Sequence, residues 1–106
     1  MQAEHSQAVD NIADIIQVPG VDGVLIGPYD LSASMGLIGQ VAHPDVQDAI
    51  GRVTQACLEA QVPLGIFGVT ARAVRPYIER GYTLIVAGVD TLLLGAGARE
   101  IVEQLR

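Results

Sequence analysis

Short apolar runs alternate with segments of helical periodicity four times along this 106-residue chain. The clearest run lies within residues 23–26 and is continuously apolar, as expected of a strand covered on both faces. Similar runs occupy residues 1–4, 63–67 and 83–89, and each run is followed by a helix-like segment. Such alternation predicts a parallel sheet with right-handed crossovers. The sequence therefore predicts a single α/β unit over residues 1–106, which is either a small open sheet or half of an eight-unit barrel.

Residues that begin or end helices refine the first half of the chain. Ser6 is the expected N-cap of a helix over residues 7–17, and a Gly-rich loop with a short helical turn is expected over residues 27–41. Pro44 lies near the first turn of a longer helix. Cys57 shares the apolar face of that helix, so we interpret it as a core residue.

The second half of the chain carries comparable signals. Thr70 begins a helix that Gly81 ends, and Pro76 should kink this helix or mark a false start. Asp90 precedes the last apolar helix and is expected to be its N-cap. That helix is predicted to end at Leu105.

Composition excludes several classes of function. The net charge is −6, and the six basic residues are all arginines without a basic stripe, so nucleic acid is not an expected partner. Without lysine, the chain has no amine side chain for a Schiff base. One cysteine permits no intrachain disulfide and fits a reducing compartment. No run reaches membrane-spanning length and no signal-peptide pattern is present, so we expect a cytoplasmic protein without membrane partners.

Two carboxylates follow neighbouring predicted strands. Glu4 ends the first strand, and Asp30 comes just after the second, within the tract Gly-Pro-Tyr-Asp-Leu-Ser at residues 27–32. Parallel α/β proteins bind ligands at the carboxyl ends of their strands, so the two carboxylates are candidate ligands of a hard cation such as Mg²⁺ or Mn²⁺. A helical turn after Pro28 would also place N–H groups near Tyr29, where a substrate carboxylate is a natural occupant.

Plain structural roles compete with each of these interpretations. Carboxylates at strand ends are often helix caps or solvated groups, and Asp90 before Thr91 has the pattern of a cap. His5 and His43 are not spaced as a metal-ligand pair. From the residues alone, both readings of the two strand-end carboxylates stay open.

Seven tracts, in order and over essentially the whole chain, resemble the HpcH/HpaI aldolase family. They are Gln-Ala-Glu at 2–4, Val-Pro-Gly-Val-Asp-Gly at 18–23, Ile-Gly-Pro-Tyr-Asp-Leu-Ser-Ala-Ser-Met-Gly at 26–36, His-Pro at 43–44, Gly-Ile at 65–66, Gly-Tyr at 81–82 and Gly-Val-Asp-Thr at 88–91. The resemblance implies a class II, metal-dependent aldolase on a (β/α)₈ barrel, of which this chain would be the C-terminal half. Such enzymes are lyases that cleave or form 4-hydroxy-2-oxo acids through a metal-bound enolate, with pyruvate or a related 2-oxo acid as one product and an aldehyde as the other.

The resemblance also assigns residues. It implies that Glu4 and Asp30 hold the metal, with Mg²⁺ or Mn²⁺ expected and Co²⁺ as a further candidate. Gln2 would lie at the substrate, the backbone at Gly27, Tyr29 and Asp30 would hold the carboxylate of the 2-oxo acid, and Phe67 would present an apolar side chain to it.

The resemblance leaves no proton-transfer residue in this half. The family carries a histidine for proton transfer and an arginine for the enolate oxygen in its first half, and the six arginines here lie on helices away from the strand ends. Activity would then need a complementary barrel half or self-association, and the family's C-terminal helices predict a homo-oligomer contact over residues 92–105. The alternatives are a module that binds metal and 2-oxo acid, or only assembles, without catalysis, and an unrelated small α/β domain that acts through protein contacts.

Overall fold

A four-stranded parallel sheet forms the centre of the molecule. The structure, a computed structural model, describes residues 1–106. Its strands are β1 (Gln2–Ala3), β2 (Val24–Ile26), β3 (Leu64–Gly68) and β4 (Leu84–Ala87). They are hydrogen-bonded in the order β1-β2-β3-β4, and each neighbouring pair is parallel. The α/β prediction is confirmed: β1, β2 and β4 are shorter than their apolar runs, and β3 has the predicted length but begins one residue later.

Six helices connect and flank the strands. They are α1 (Ser6–Asp10), α2 (Ile12–Ile15), α3 (Pro28–Ser34), α4 (Pro44–Glu59), α5 (Ala71–Glu79) and α6 (Asp90–Gln104). None of them combines the length and the apolar character that crossing a bilayer requires.

The core lies between one face of the sheet and helix α4. Ile26 and Ile66 are fully buried on the sheet, and Val46, Ile50, Val53 and Cys57 form the buried stripe of α4. The predicted core position of Cys57 is therefore confirmed. Burial raises the pKa of its thiol, so this side chain stays protonated and unreactive at neutral pH.

The predicted first helix is wrong in two respects. The helix expected over residues 7–17 is two short helices, because the backbone leaves helical geometry at Asn11 (φ −99°, ψ 10°). Its N-cap is His5 rather than Ser6: the Nδ1 atom of His5 accepts a hydrogen bond from the Gln7 N–H at 3.2 Å. An imidazole nitrogen acts here as the capping acceptor that the hydroxyl of Ser6 was expected to supply.

The later helix boundaries agree better with expectation. Thr70 caps α5 through its Oγ1 atom, and Gly81, with φ +94°, follows the helix end. The false start considered at Pro76 is wrong, because α5 runs through this residue to Glu79. The expected N-cap role of Asp90 is wrong: Val89 is the cap residue, and Asp90 is the first residue of α6.

Helix α6 extends away from the rest of the molecule. None of its residues is buried. Leu94 within the helix is 77% exposed, and Leu105, which follows the last helical residue, is 82% exposed. The molecule measures 57 × 28 × 22 Å, and its radius of gyration is 16.0 Å, against about 13 Å for a compact domain of this size. The apolar side chains of α6 therefore have no covering surface within this chain.

Candidate active site

The sheet has one face covered by helices and one face open. Residues of the covered face are buried, as Ile26 and Ile66 illustrate. A Cβ atom built on Gly65 would lie 2.9 Å from Leu25 Cδ1 and 3.1 Å from Leu84 Cδ2, so these three positions share the opposite face. By strand register and alternation, this open face consists of Gln2, Glu4, Leu25, Gly27, Gly65, Phe67, Leu84 and Val86. Four of the predicted site residues thus lie together on the open face.

Gly27 leaves room for the carboxylate of Glu4. A Cβ atom at Gly27 would lie 3.2 Å from Glu4 Oε2 and 3.4 Å from Glu4 Cβ, which is tighter than nearly all real contacts. Glu4 is half-buried, and its side chain lies across the end of β2. A side chain at position 27 would therefore require Glu4 to shift by a few tenths of an ångström.

Helix α3 places Asp30 at the same edge of the sheet as Glu4, where the carboxyl ends of the strands lie. It begins with Pro28, and Asp30 stands in its first turn with an exposed side chain. The N–H groups of Tyr29 and Asp30 lie in the first turn of the helix, where no carbonyl of the same helix can accept from them. The Gly27 N–H, in contrast, donates to the Ala3 carbonyl at 3.4 Å. Two first-turn N–H groups and a carboxylate are thus presented where the polypeptide leaves β2.

Neither candidate carboxylate is engaged by another side chain. The two ion pairs of the chain, His43 with Asp45 and Arg52 with Asp10, involve other residues, and no side-chain hydrogen bond reaches Glu4 or Asp30. No cluster of three or more His, Cys, Asp and Glu residues is present. A cation at this edge would therefore have at most two carboxylate ligands from this chain, a number that Mg²⁺ accepts.

Ser34 connects the two segments that carry these carboxylates. Its Oγ atom accepts a hydrogen bond from the Ser6 N–H at 3.0 Å and donates to the Leu31 carbonyl at 2.7 Å. Ser6 follows Glu4 by two positions, and Leu31 follows Asp30 directly. Sequence reasoning missed this role, although Ser34 belongs to the tract that carries Asp30.

A second serine in the same tract orders the peptide next to Asp30. The fully buried Ser32 donates from Oγ to the Tyr29 carbonyl at 2.6 Å and accepts from the Gly39 N–H at 3.1 Å. The first turn of α3 is thereby tied to the loop that follows the helix.

Replacing Ser34 with Ala should loosen the link between the two carboxylate segments. We expect the free energy of unfolding to fall by about 1 kcal/mol, because one hydroxyl serves two partners. Urea denaturation measures this loss. Ser6→Ala is the matched control, since the bond uses the backbone N–H of Ser6, and equal destabilisation by both substitutions would contradict this role of Ser34.

A cavity of about 470 Å³ begins at the same edge, with Tyr29 and Phe67 in its lining. It continues along α5 as far as Arg80.

The fold is that of an α/β protein, and its candidate ligand site lies at the carboxyl ends of the parallel strands. The sequence profile of the HpcH/HpaI aldolase/citrate lyase family matches residues 1–96. The chain therefore belongs to this family.

Individual proteins similar to this chain support the same family assignment. The chain is 37% identical over 106 residues to the 2-dehydro-3,6-dideoxy-6-sulfogluconate aldolase of Pseudomonas putida, covering 100% of this chain and 42% of that protein. It is 41% identical over 101 residues to a 4-hydroxy-2-oxo-heptane-1,7-dioate aldolase of Salmonella paratyphi B, covering 95% and 38% of the two chains. The crystal structure of a family protein from Burkholderia cenocepacia J2315 superposes with a TM-score of 0.92 at 40% identity, over 99% of this chain and 41% of that one. The chain thus spans about two fifths of the length of these relatives.

Proposed function

We propose that this chain supplies the metal-binding part of a 2-oxo acid aldolase. The enzyme would cleave a 4-hydroxy-2-oxo acid into an aldehyde and pyruvate or a related 2-oxo acid, or join the two in the reverse reaction. One observation carries the proposal: Glu4 and Asp30 follow adjacent parallel strands, free of protein partners, in a chain that belongs to an aldolase family.

The donor set supports a divalent cation held by Glu4 and Asp30. Two carboxylates without competing ion pairs fit Mg²⁺ or Mn²⁺, with Co²⁺ as a further candidate, because such ions keep positions for water and substrate. The cation would supply Lewis-acid polarisation of the carbonyl oxygen of the 2-oxo acid.

The remaining residues of the edge would bind and orient the 2-oxo acid. The N–H groups of Tyr29 and Asp30 can donate to its carboxylate, close to where the backbone leaves Gly27. Gln2 lies one layer below Glu4 on the open face and can donate through its amide. Phe67 shares the layer of Glu4 and Gly27 and can exclude water from the carbon next to the carbonyl.

Proton transfer needs a group that this edge does not provide. The open face contains neither histidine nor arginine, and the chain has no lysine. We therefore propose that a working site needs a complementary barrel part, which would also cover exposed open-face residues such as Leu84.

Pyruvate release from 4-hydroxy-2-oxoheptanedioate tests this function. The purified chain is assayed alone and together with the separately expressed first half of the Burkholderia relative, with Mn²⁺ and then with EDTA. We expect release only in the mixture and only with Mn²⁺, whereas Mn²⁺ binding to the chain alone should be measurable by calorimetry. Equal release in EDTA, or no Mn²⁺ binding, would contradict the proposal; Mn²⁺ binding without turnover in the mixture would favour the non-catalytic binding module.

We further propose that α6 is a contact between copies of the chain. Its exposed leucines have no partner within the chain, and an apolar helix without a covering surface is unfavourable in water. An association through this helix would place the open faces of several copies in one oligomer.

Replacing Leu94 with Glu should weaken that association. Leu94 is 77% exposed, so the substitution leaves the core of the chain intact while burying a charge at the contact. Sedimentation velocity should show a shift from oligomer to monomer at the same protein concentration. Gln7→Glu on the exposed side of α1 is the charge-matched control, and an unchanged oligomer in Leu94→Glu would exclude this contact.

A further inference from the structure

The cavity along α5 has a largely apolar wall. Its volume is about 470 Å³, within the range of small-molecule sites. Val41, Ala42, Val69, Ala73 and Pro76 supply apolar surface between α5 and the segment that leads into α4. Helix α5 packs against β3 and β4.

One uncompensated positive charge lies in this cavity. Arg80 is the only charged residue of its lining, and no carboxylate lies within ion-pair distance of it. The chain has twelve acidic residues and six arginines, yet none of the acidic residues lines the cavity. A guanidinium beside apolar surface pairs well with a carboxylate, which it can bind through two parallel hydrogen bonds.

Aromatic contacts fix the position of this guanidinium. The Arg80 Cζ atom lies 5.4 Å from the centroid of the Tyr77 ring. Tyr77 in turn packs edge to face against Tyr82, with ring centroids 5.2 Å apart. Tyr82 is buried, and its hydroxyl lies 2.7 Å from Thr54 Oγ1, which donates to the Ile50 carbonyl. These contacts connect the guanidinium to the core and hold it in position. Less conformational entropy is therefore lost when a ligand binds to it.

We propose that this cavity binds a small organic carboxylate with an apolar body. The carboxylate pairs with Arg80, and the aliphatic or aromatic body lies against Val69, Ala73 and Pro76. The site is separate from Glu4 and Asp30 and needs no metal. The cavity shares the lining residues Tyr29 and Phe67 with the candidate active site at the carboxyl ends of the strands. A carboxylate bound in the cavity would therefore lie next to the proposed 2-oxo acid substrate.

Binding of hexanoate to the purified chain, measured by calorimetry and amide chemical shifts without divalent cation, tests the proposal. We expect saturable binding to the wild type and about tenfold weaker binding to Arg80→Gln, because a charge-assisted pair is lost. Arg75→Gln is the matched control, since Arg75 is exposed on the same helix and does not line the cavity. Hexan-1-ol should bind weakly, and equally to the wild type and to Arg80→Gln.

A second variant tests the cavity itself. Ala73→Leu adds side-chain volume to the lining and should abolish binding of both hexanoate and hexan-1-ol, while circular dichroism reports whether the fold is retained. Absence of hexanoate binding to the wild type would overturn the proposal. Equal affinity of the wild type and Arg80→Gln, or equal losses in Arg80→Gln and Arg75→Gln, would do the same.

Discussion

Replacing Glu4 with Gln should lower Mn²⁺ affinity by at least roughly 100-fold and abolish metal-dependent pyruvate release in the assembled protein. Removing a group that only orients a metal ligand costs about 10- to 100-fold in metal affinity or activity, so losing a charged ligand should cost more. The amide keeps the size of the carboxylate beside Gly27, so the local packing is preserved. Calorimetric titration with Mn²⁺ and a pyruvate assay measure the two effects.

The matched control is Glu79→Gln, which removes the same charge from an exposed position at the end of α5. This control should bind Mn²⁺ as the wild type does. If Glu4→Gln retained wild-type affinity, Glu4 would not be a metal ligand and the proposed function would fail at its main observation.

Replacing Ile66 with Ala should lower the free energy of unfolding by about 2–5 kcal/mol. Ile66 is fully buried on β3, between Ile26 of β2 and Ile85 of β4. The lost side chain leaves a cavity in the middle of a sheet that has little room to collapse. Only 19 of 106 residues are buried, so this loss is a large fraction of the total stability and unfolds part of the population.

The same substitution on α6 is the control. Ile101 is 61% exposed, and Ile101→Ala should change the free energy of unfolding by less than about 0.5 kcal/mol in dilute monomer. Urea denaturation at two protein concentrations measures both variants. An Ile101→Ala loss as large as that of Ile66→Ala, at all concentrations, would mean that α6 is packed in the isolated chain.

The four strands were predictable because a strand covered by helices must be apolar along its length. The runs around Ile26 and Ile66 carry that signal, and their order along the chain implies parallel pairing. The approach of Glu4 to Gly27 follows from the same regularity, since adjacent parallel strands bring these two positions side by side.

What could not be predicted depends on contacts between distant residues or on competition between neighbours. The Ser34 bond to the Ser6 N–H spans 28 positions and leaves no periodic signal. His5 rather than Ser6 caps α1 because the imidazole nitrogen happens to meet the Gln7 N–H. The alternation of strands and helices predicted helix α6 but not where it lies. The apolar side chains of a helix indicate that it packs against another surface, but they do not indicate whether the same chain or another one provides that surface.

The detachment of α6 has a consequence for how this chain acquires its structure. An isolated helix of its length is marginal in water, since nucleation is costly and few hydrogen bonds repay it. The backbone amides of residues 90–104 should then exchange with solvent deuterium as if unfolded in dilute chain, while those of β2 and β3 remain protected. Protection of α6 would appear only when another surface covers it, so its helicity is a concentration-dependent property that couples the last step of folding to assembly.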